Sequence, residues 1–522
     1  VFEYNNDIVI LDMGLQFPEE DMPGIDYIVP NVSYLKGKEK NIKAVIFSHG
    51  HLDHIGAAPI LLEQLNNPVI VGMKLTLAMV KNRQEDYRKG TSKNLKTITV
   101  NKLSDRFSFG SFKIGFFQIE HSIMDAVGVI INTPVATVIH PGDWTMERGP
   151  DGKPLIDYSH LSKLPAPKVL MLESLGAISS KVSITSQEMK QNLFNILREA
   201  SGRVVVGTFS SQIERIGWII AIAERLNKRV ALDGYSMRTN IEIAKKLGYI
   251  KCKKETLIRI DEIDDYDDNK VVVICTGAQG EENAVLMRII TGGHKVVKLK
   301  KSDTVILSSS IIPGNERTIQ RLKDSLYRQC DNVIHGNIMD VHVSGHGNQE
   351  DIKTILEIVK PEYYMPVYAN HYMLKEAEKA ARKNGFDPKK IFVADNGQVV
   401  EFSKLGGRLT DKKVTTDYVF VDGLGVGDVS HVVLRDRQMM AQDGMIVVIA
   451  TIDGKTGQLL QSPDLISRGF IYMKENKKLV EETRDKVKQL LKDYNPRSQA
   501  DESFIKNRIR NELGSFLFQK TE

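Results

Sequence analysis

The chain has 522 residues, 42% of them hydrophobic and 26% charged, with 71 basic and 66 acidic side chains and a net charge of +5. These proportions exclude a disordered or fibrous chain and leave a globular protein of two to four domains with a sizeable core. No run of about 18 apolar residues predicts a membrane span. Cys252, Cys275 and Cys330 lack zinc-ligand spacing and read as buried thiols of a reducing, cytoplasmic setting.

In chain order, residues 1–165 alternate short apolar strands with turns and two helical patterns. The predicted strands are Lys43–Ser48, Pro68–Gly72, Thr97–Val100, Phe112–Gln118, Gly128–Asn132 and Ala136–His140, with helices over 54–65 and 75–88. From Lys168 the rhythm becomes strand–helix–strand, with strands Val169–Glu173, Arg203–Thr208, Arg229–Leu232, Lys270–Cys275 and Thr304–Ser308. The intervening helices predict a parallel sheet. Further on come a strand at Tyr364–Val367, a helix over 371–384, strands at Lys390–Val393 and Val399–Glu401, and a Gly-rich stretch over 404–428. The last part predicts strands Met445–Ile452 and Gly469–Tyr472 and helices over 475–493 and 501–517, enough for a small α/β domain.

The densest chemistry lies in Ser48-His49-Gly50-His51-Leu52-Asp53-His54, directly after the apolar run Ala44–Phe47. Imidazole and carboxylate together suit zinc or a similar divalent ion. In extended backbone His49 and His51 point the same way, while Asp53 and His54 fall where a helix begins. One strand-to-helix turn therefore offers ligands to two neighbouring metals. His121, after the strand ending near Ile119, and Asp143, in His140-Pro141-Gly142-Asp143, are further expected ligands at strand ends. Asp12, closing an earlier strand, reads as a carboxylate that orients a ligating histidine.

The succession His-x-His-x-Asp-His, His121 and Gly142-Asp143 resembles the motifs of the metallo-β-lactamase fold. Residues 168–344 resemble the β-CASP insert of nucleases in that superfamily. Finer matches are to the ribonuclease J family: Cys275–Glu281, Ser308–Glu316, Asp340–Gly347, Val421–Asp428 and Ile466–Phe470. The resemblance implies an α/β architecture, an αββα sandwich with an inserted β-CASP domain and a small C-terminal α/β domain. The implied boundaries are 1–166 and 345–405 for the two parts of the metallo-β-lactamase domain and 167–344 for the insert. A linker over 406–435 and a C-terminal domain over 436–522 complete them. The family also implies an edge strand before Val1 and another after Glu522.

Carried over residue by residue, the resemblance implies two zinc ions, with manganese an alternative at the second site. His49, His51 and His121 would hold one, Asp53 and His54 would help hold the other, and Asp143 would bridge. Asp53, Glu173 and His346 would be catalytic. The family places a metal-ligating histidine after a Met-Pro-Val strand, where this chain reads Met365-Pro366-Val367-Tyr368-Ala369-Asn370-His371. His371 is the expected replacement ligand, with Tyr368 as the alternative.

For substrate, Gly207-Thr208-Phe209-Ser210-Ser211-Gln212 ends a strand in hydroxyls at a helix N-terminus, a natural anion cradle. His342, Ser344, Gly345 and His346 offer small residues and ring donors to a phosphate. The family has Asn where Gln212 stands. By resemblance these groups form a pocket for a 5′-monophosphate, and Phe209 is placed to stack on a base. The implied activity is a metal-dependent ribonuclease, a 5′→3′ exonuclease with endonuclease activity as a second mode, in rRNA processing and mRNA decay. RNA is the expected partner, and a homodimer or homotetramer through the C-terminal domain the expected assembly. The competing readings are a catalytically weak RNA-binding scaffold, which Tyr368 favours, and a small-molecule hydrolase, which would not need so long an insert.

Overall fold

The computed structural model describes all residues except 20, 180–183, 282, 310, 313–314, 337–338, 340, 342–344, 424, 454, 457, 472, 474, 493–498 and 522. It divides into two compact units, one of Val1–Gln16 with Val29–Tyr418, the other of Phe17–Ile28 with Val419–Glu522.

In the first unit two sheets face each other. One has strand order Phe2–Tyr4, Asp7–Leu11, Ile42–Ile46, Ile70–Met73, Thr97–Val100. The other runs Tyr363–Val367, Lys168–Glu173, Thr137–His140, Val127–Asn132, Phe112–Gln118, Phe107–Phe109. Alternating positions fill the space between them: Val9, Ala44, Ile46 and Val71 from the first, Ile114, Phe116, Val129 and Val138 from the second. Behind the second sheet, helices Gln349–Val359 and His371–Lys383 bury Ile352, Ile355, Val359, Ala377 and Ala381 against Ile139, Leu170 and Leu172. Helix Lys74–Tyr87 packs on strands Ile70–Met73 and Thr97–Val100 of the first sheet, so the αββα layering expected from sequence is present.

Strands Lys168–Glu173 and Tyr363–Val367 are parallel neighbours, with Glu173 opposite Val367. The chain leaves the sandwich at the end of one and returns through the other. Between them lies a six-stranded, all-parallel sheet in the order Leu257–Ile258, Arg229–Asp233, Val271–Cys275, Val204–Gly207, Thr304–Leu307, Asn332–Ile334. Strands Val204–Gly207 and Val271–Cys275 are buried at every position, as a sheet covered on both faces requires. This grafting puts Glu173, His140 and Val367 at strand ends on one edge of the sandwich.

Several expectations are corrected. The helix over 54–65 is two pieces, Leu52–Ile55 and Ala58–Gln64. Residues 390–393 make only an isolated bridge, Tyr364 to Ile391, after a 3-10 turn Pro388–Lys390. The stretch 406–435 is not simply a linker: Gly406–Lys413 forms a hairpin with Gln398–Ser403, and helix His431–Asp443 crosses the expected boundary.

In the second unit, Ile25, Ile28, Phe420 and Leu434 share a small core, and Arg437 joins Asp422 and the carbonyls of Pro23 and Gly24. A hairpin of Met445–Ile449 and Asp464–Arg468 packs Ile446 and Val448 against Val487, Leu513 and Leu517 of helices Lys477–Leu491 and Gln499–Thr521. In place of the strand expected from Gly469, the strand is Asp464–Arg468 and ends before Gly469, which takes a φ of 71°; Tyr472 lies outside the described residues. Among the described residues no helix is long and apolar enough to cross a membrane.

Candidate metal centre

Strand Ile42–Ile46 runs into Phe47, Ser48 and His49, and helix Leu52–Ile55 starts after His51. That short turn delivers four of the expected ligands. His121 arrives after strand Phe112–Gln118, and Asp143 after strand Thr137–His140 through Gly142, whose φ of 71° suits glycine. The side chains converge as two overlapping groups able to hold a metal: His49, His51, His121 and Asp143, and Asp53, His54 and Asp143.

In the first group, His51 Nδ1 lies 3.1 Å from His49 Nε2 and 3.0 Å from His121 Nε2. The tautomers follow from the outer contacts. His121 Nδ1 donates to the Gly345 carbonyl at 2.8 Å, so its Nε2 carries a lone pair when neutral. Ser48 donates its hydroxyl to Asp12 at 2.7 Å, so it accepts from His49 Nδ1 at 3.0 Å, and His49 Nε2 is likewise bare. Two bare nitrogens thus face one nitrogen of His51, which carries at most one proton, while the buried His51 Nε2 has no partner. Lone pairs gathered so closely fit a cation among them. Electrostatics agrees. Burial pushes His51 and His121 down to about 3 and His49 well below the ordinary histidine range, reinforced by neighbouring imidazoles, so all three rings are neutral donors.

In the second group, His54 Nδ1 donates to Asp12 Oδ2 at 2.8 Å. Its Nε2 faces Asp143 Oδ1 at 3.3 Å and Asp53 Oδ2 at 3.7 Å. Burial opposes charge on His54, but Asp143 and Asp12 together raise it well above its usual value. Burial also works against the Asp143 carboxylate, and the surrounding histidines, His54 first, hold it well below the usual carboxylate range. Asp143 Oδ2 lies 4.0 Å from His49 Nε2 and 3.9 Å from His121 Nε2, so this carboxylate stands between the groups.

The structure does not bring His371 into this cluster. It begins helix His371–Lys383, its side chain is 62% exposed, and Nδ1 lies 3.2 Å from Asp395. The register of the Val367 strand explains why. Tyr368 follows the strand directly in a left-handed conformation, φ 53°, and its ring packs edge-on against His54, 5.4 Å between centroids, and His140, 5.1 Å. Tyr368 is 39% exposed overall; desolvation where its ring packs on the cluster, with the charges of Asp12, Asp143 and Asp53, raises its phenol above the ordinary value, which keeps it protonated. Tyr368, and not His371, is thus the side chain that packs beside the second group.

The catalytic expectations divide. Asp53 stands at the open side of the cluster, 59% exposed. Glu173 is fully buried at the end of its strand and meets His346 Nδ1 at 3.2 Å. Burial opposes the charge on His346, but Glu173, then Asp143 and Asp53, raise it to about 9. Burial raises Glu173, against the pull of His346. The ring of His346 lies 5.8 Å from that of His121. Phe209, Ser210 and Ser211 are half-buried in the turn before helix Ile213–Arg225; Gln212 is the N-cap, and no side chain caps the helix. Gly345 touches the metal group through its carbonyl, and His342 and Ser344 lie outside the described residues.

Two contributors escape a motif reading. Ser48 links Asp12 to His49. His140, fully buried, donates Nδ1 to the Met171 carbonyl at 2.9 Å and leaves Nε2 without a partner behind Tyr368. The available signal was its place at a strand end, three residues before Asp143.

Four families match the chain. They are the metallo-beta-lactamase superfamily over residues 1–163, the ribonuclease J beta-CASP domain over 201–326, the Zn-dependent metallo-hydrolase RNA specificity domain over 333–394 and the ribonuclease J C-terminal domain over 432–522. Among curated proteins, "Ribonuclease J 1" of Streptococcus pyogenes serotype M3 is 35% identical over all of this chain and 92% of its own length. "Ribonuclease J2" of Bacillus subtilis is 33% identical over all of this chain and 93% of its own. A crystal structure of a protein of unknown function from Enterococcus faecalis V583 shares the fold at 14% identity and a TM-score of 0.50, covering 78% of this chain and 95% of that one. With relatives this similar along its whole length, the chain belongs to the ribonuclease J family.

Proposed function

We propose that this protein is a two-metal ribonuclease that degrades RNA from its 5′ end, with internal cleavage as a second mode, in rRNA processing and mRNA decay. It is a metal-dependent nuclease, a hydrolase that binds RNA. The observation that carries the finer reading is Asp143, whose two oxygens face two separate ligand groups. His49, His51 and His121 with Asp143 would hold one zinc, and Asp53, His54 and Asp143 a second ion, zinc or manganese. Bound there, a metal pair supplies electrophilic stabilisation to the phosphate undergoing displacement.

The chain's own residues do the rest. Asp12 and Ser48 fix the ring orientations of His54 and His49. His346, held as an imidazolium by Glu173, keeps a proton beside the cluster for a phosphate oxygen or a leaving group. The uncapped first turn after Ser210-Ser211-Gln212, with Phe209 and the segment of His342, Ser344, Gly345 and His346, forms the anchor for a 5′-monophosphate. We assign residues 436–522 to homodimer or homotetramer formation, place the enzyme in the cytoplasm, and keep the domain limits at 1–166, 167–344 and 345–405.

The test compares degradation rates of one RNA carrying a 5′-monophosphate, triphosphate or hydroxyl. The monophosphate is degraded fastest if the reading is right; equal rates reject the 5′ anchor. The second reading, an RNA-binding protein of weak activity, is favoured by Tyr368 in the ligand position. It would give RNA binding without metal-stimulated cleavage.

A further inference from the structure

The loop that leaves strand Phe112–Gln118 carries His121 and runs on to Val127. Its inner side lies against the turn that bears His49 and His51. The Val127 N–H donates to the Ser48 carbonyl at 3.0 Å. Ile123, 2% exposed, sits over Gly50, where an added Cβ would meet its Cδ1 at 3.4 Å. Gly50 lies between His49 and His51, so this packing sets how closely His121 approaches them.

The outer side of the loop is held from the β-CASP insert. Asp125 takes a left-handed φ of 63°, a conformation that persists in a residue other than glycine only where its surroundings fix it. Its Oδ2 accepts from the Leu75 N–H at 2.9 Å, at the start of helix Lys74–Tyr87, and from the Tyr249 hydroxyl. Tyr249 follows helix Tyr235–Lys246 of the insert. Gly248, with a φ of 82°, turns the chain out of that helix, and the Tyr249 N–H closes on the Ala244 carbonyl at 2.9 Å, so the tyrosine starts from a fixed backbone. Burial and the Asp125 carboxylate raise its phenol above the usual value, and it stays a donor. Beside this bond, Ile250 and Gly217 of the insert adjoin Met124 of the loop: a Cβ at Gly217 would meet Ile250 at 3.3 Å and Met124 at 4.0 Å.

Resting on the two-metal reading, we propose that Tyr249 is a positioning residue for the first metal group. Through Asp125 its hydroxyl holds the His121 loop on the His49-Gly50-His51 turn, so affinity for the first ion depends on how the insert is seated. Asp53 and His54 of the second group are not on this loop, so the effect falls on one ion. Tyr235, at the other end of the same helix, supplies the control. It donates to Asp86 Oδ1 at 3.1 Å, and Asp86 is on helix Lys74–Tyr87, not on the His121 loop.

The test is calorimetric titration of the metal-stripped full chain with zinc, in the native protein, Tyr249→Phe and Tyr235→Phe. Tyr249→Phe should weaken the tighter step by about five-fold or more, the weight of one hydrogen bond, and leave the weaker step unmoved. Tyr235→Phe should leave both steps unmoved. One equivalent of cobalt(II) should show altered visible absorption in Tyr249→Phe and native absorption in Tyr235→Phe. In Asp125→Gly, a residue suited to the φ of 63°, adding Tyr249→Phe should weaken the tighter step no further. Native zinc affinity in Tyr249→Phe, equal losses in the two phenylalanine variants, or additive losses in Asp125→Gly with Tyr249→Phe overturns the proposal and leaves the two-metal reading standing. If Tyr249→Phe does not fold, Asp125→Gly decides: native affinity in that variant overturns it. A native chain that takes up neither zinc nor cobalt removes the two-metal reading itself.

Discussion

His54 and His49, one from each ligand group, are oriented by the same carboxylate. Asp12 Oδ2 accepts from His54 Nδ1 at 2.8 Å and from the Ser48 hydroxyl at 2.7 Å, and that hydroxyl accepts from His49 Nδ1. Asp12 itself has a φ of 58°, a conformation that Asn tolerates better than Ala. Asp12→Asn should therefore keep the backbone but set an N–H₂ against at least one of the three donors the carboxylate now accepts, the Ser48 N–H, the Ser48 hydroxyl and His54 Nδ1. Losses of such outer contacts weaken metal binding by about 10–100-fold. Metal content after dialysis against graded zinc concentrations measures it; unchanged affinity would show that the shared carboxylate does not tune the site.

On the two-metal proposal, Tyr368 would set the strength of the second ion. Without a histidine at this position the second group consists, among the described residues, of Asp53, His54 and Asp143. Metal titration should show two steps, the second weaker. Tyr368→His should tighten that step by ten-fold or more, about 1.4 kcal/mol. His371→Ala, removing a side chain paired with Asp395, should leave both steps unmoved. A shift with His371→Ala and none with Tyr368→His would reverse the assignment.

Gly345 ties the returning chain to the first metal group. A Cβ added there would lie 2.9 Å from His121 Cε1 and 3.0 Å from Nδ1, close enough to displace the ring or break its bond to the Gly345 carbonyl. Gly345→Ala should lower affinity for the first metal while the fold, followed by circular dichroism, persists. Full affinity in that variant would mean that the His121 ring is not held from this side.

The metal-free protein should be most stable near the unperturbed histidine pKa. His51 and His121 fall from 6.5 to about 3 on folding, so between those values the unfolded chain binds more protons and stability falls as pH drops. His346, raised to about 9, acts in the opposite sense: its contribution is complete below about 6.5 and lost as pH rises through about 9. Urea midpoints of chelated protein across pH measure both limbs. His346→Gln should flatten the alkaline limb; an unchanged limb contradicts the Glu173–His346 pairing.

Much of this cluster was legible because its converging side chains come from one short, dense motif and from strand ends. His49, His51, Asp53 and His54 need only the local geometry of a strand running into a helix, and that geometry is what forms. The layered fold was legible for the same reason, since Val- and Ile-rich runs alternate with amphipathic helices. The error at His371 had a different origin. The residue that points inward after Val367 is set by strand register and by the left-handed turn at Tyr368, a tertiary property that chemical preference for histidine over tyrosine does not reveal. His140 was missed because its partners, the Met171 carbonyl and Tyr368, are distant in sequence. In the C-terminal unit the apolar pattern located a strand pair but misplaced its second member, since Gly469 ends it before the apolar residues that follow.

The central claim is that Asp143 serves two metal ions in the hydrolysis of RNA. The most direct measurement follows cleavage of an end-labelled RNA carrying a 5′-monophosphate, by chelated protein, by protein resupplied with zinc or manganese, and by Asp143→Asn given the same metals. The expected result is no cleavage in chelator, recovery with metal in the native chain, and loss of at least a hundred-fold in Asp143→Asn with both metal-binding steps weakened. Cleavage that persists in chelator, or native rates in Asp143→Asn, would contradict it.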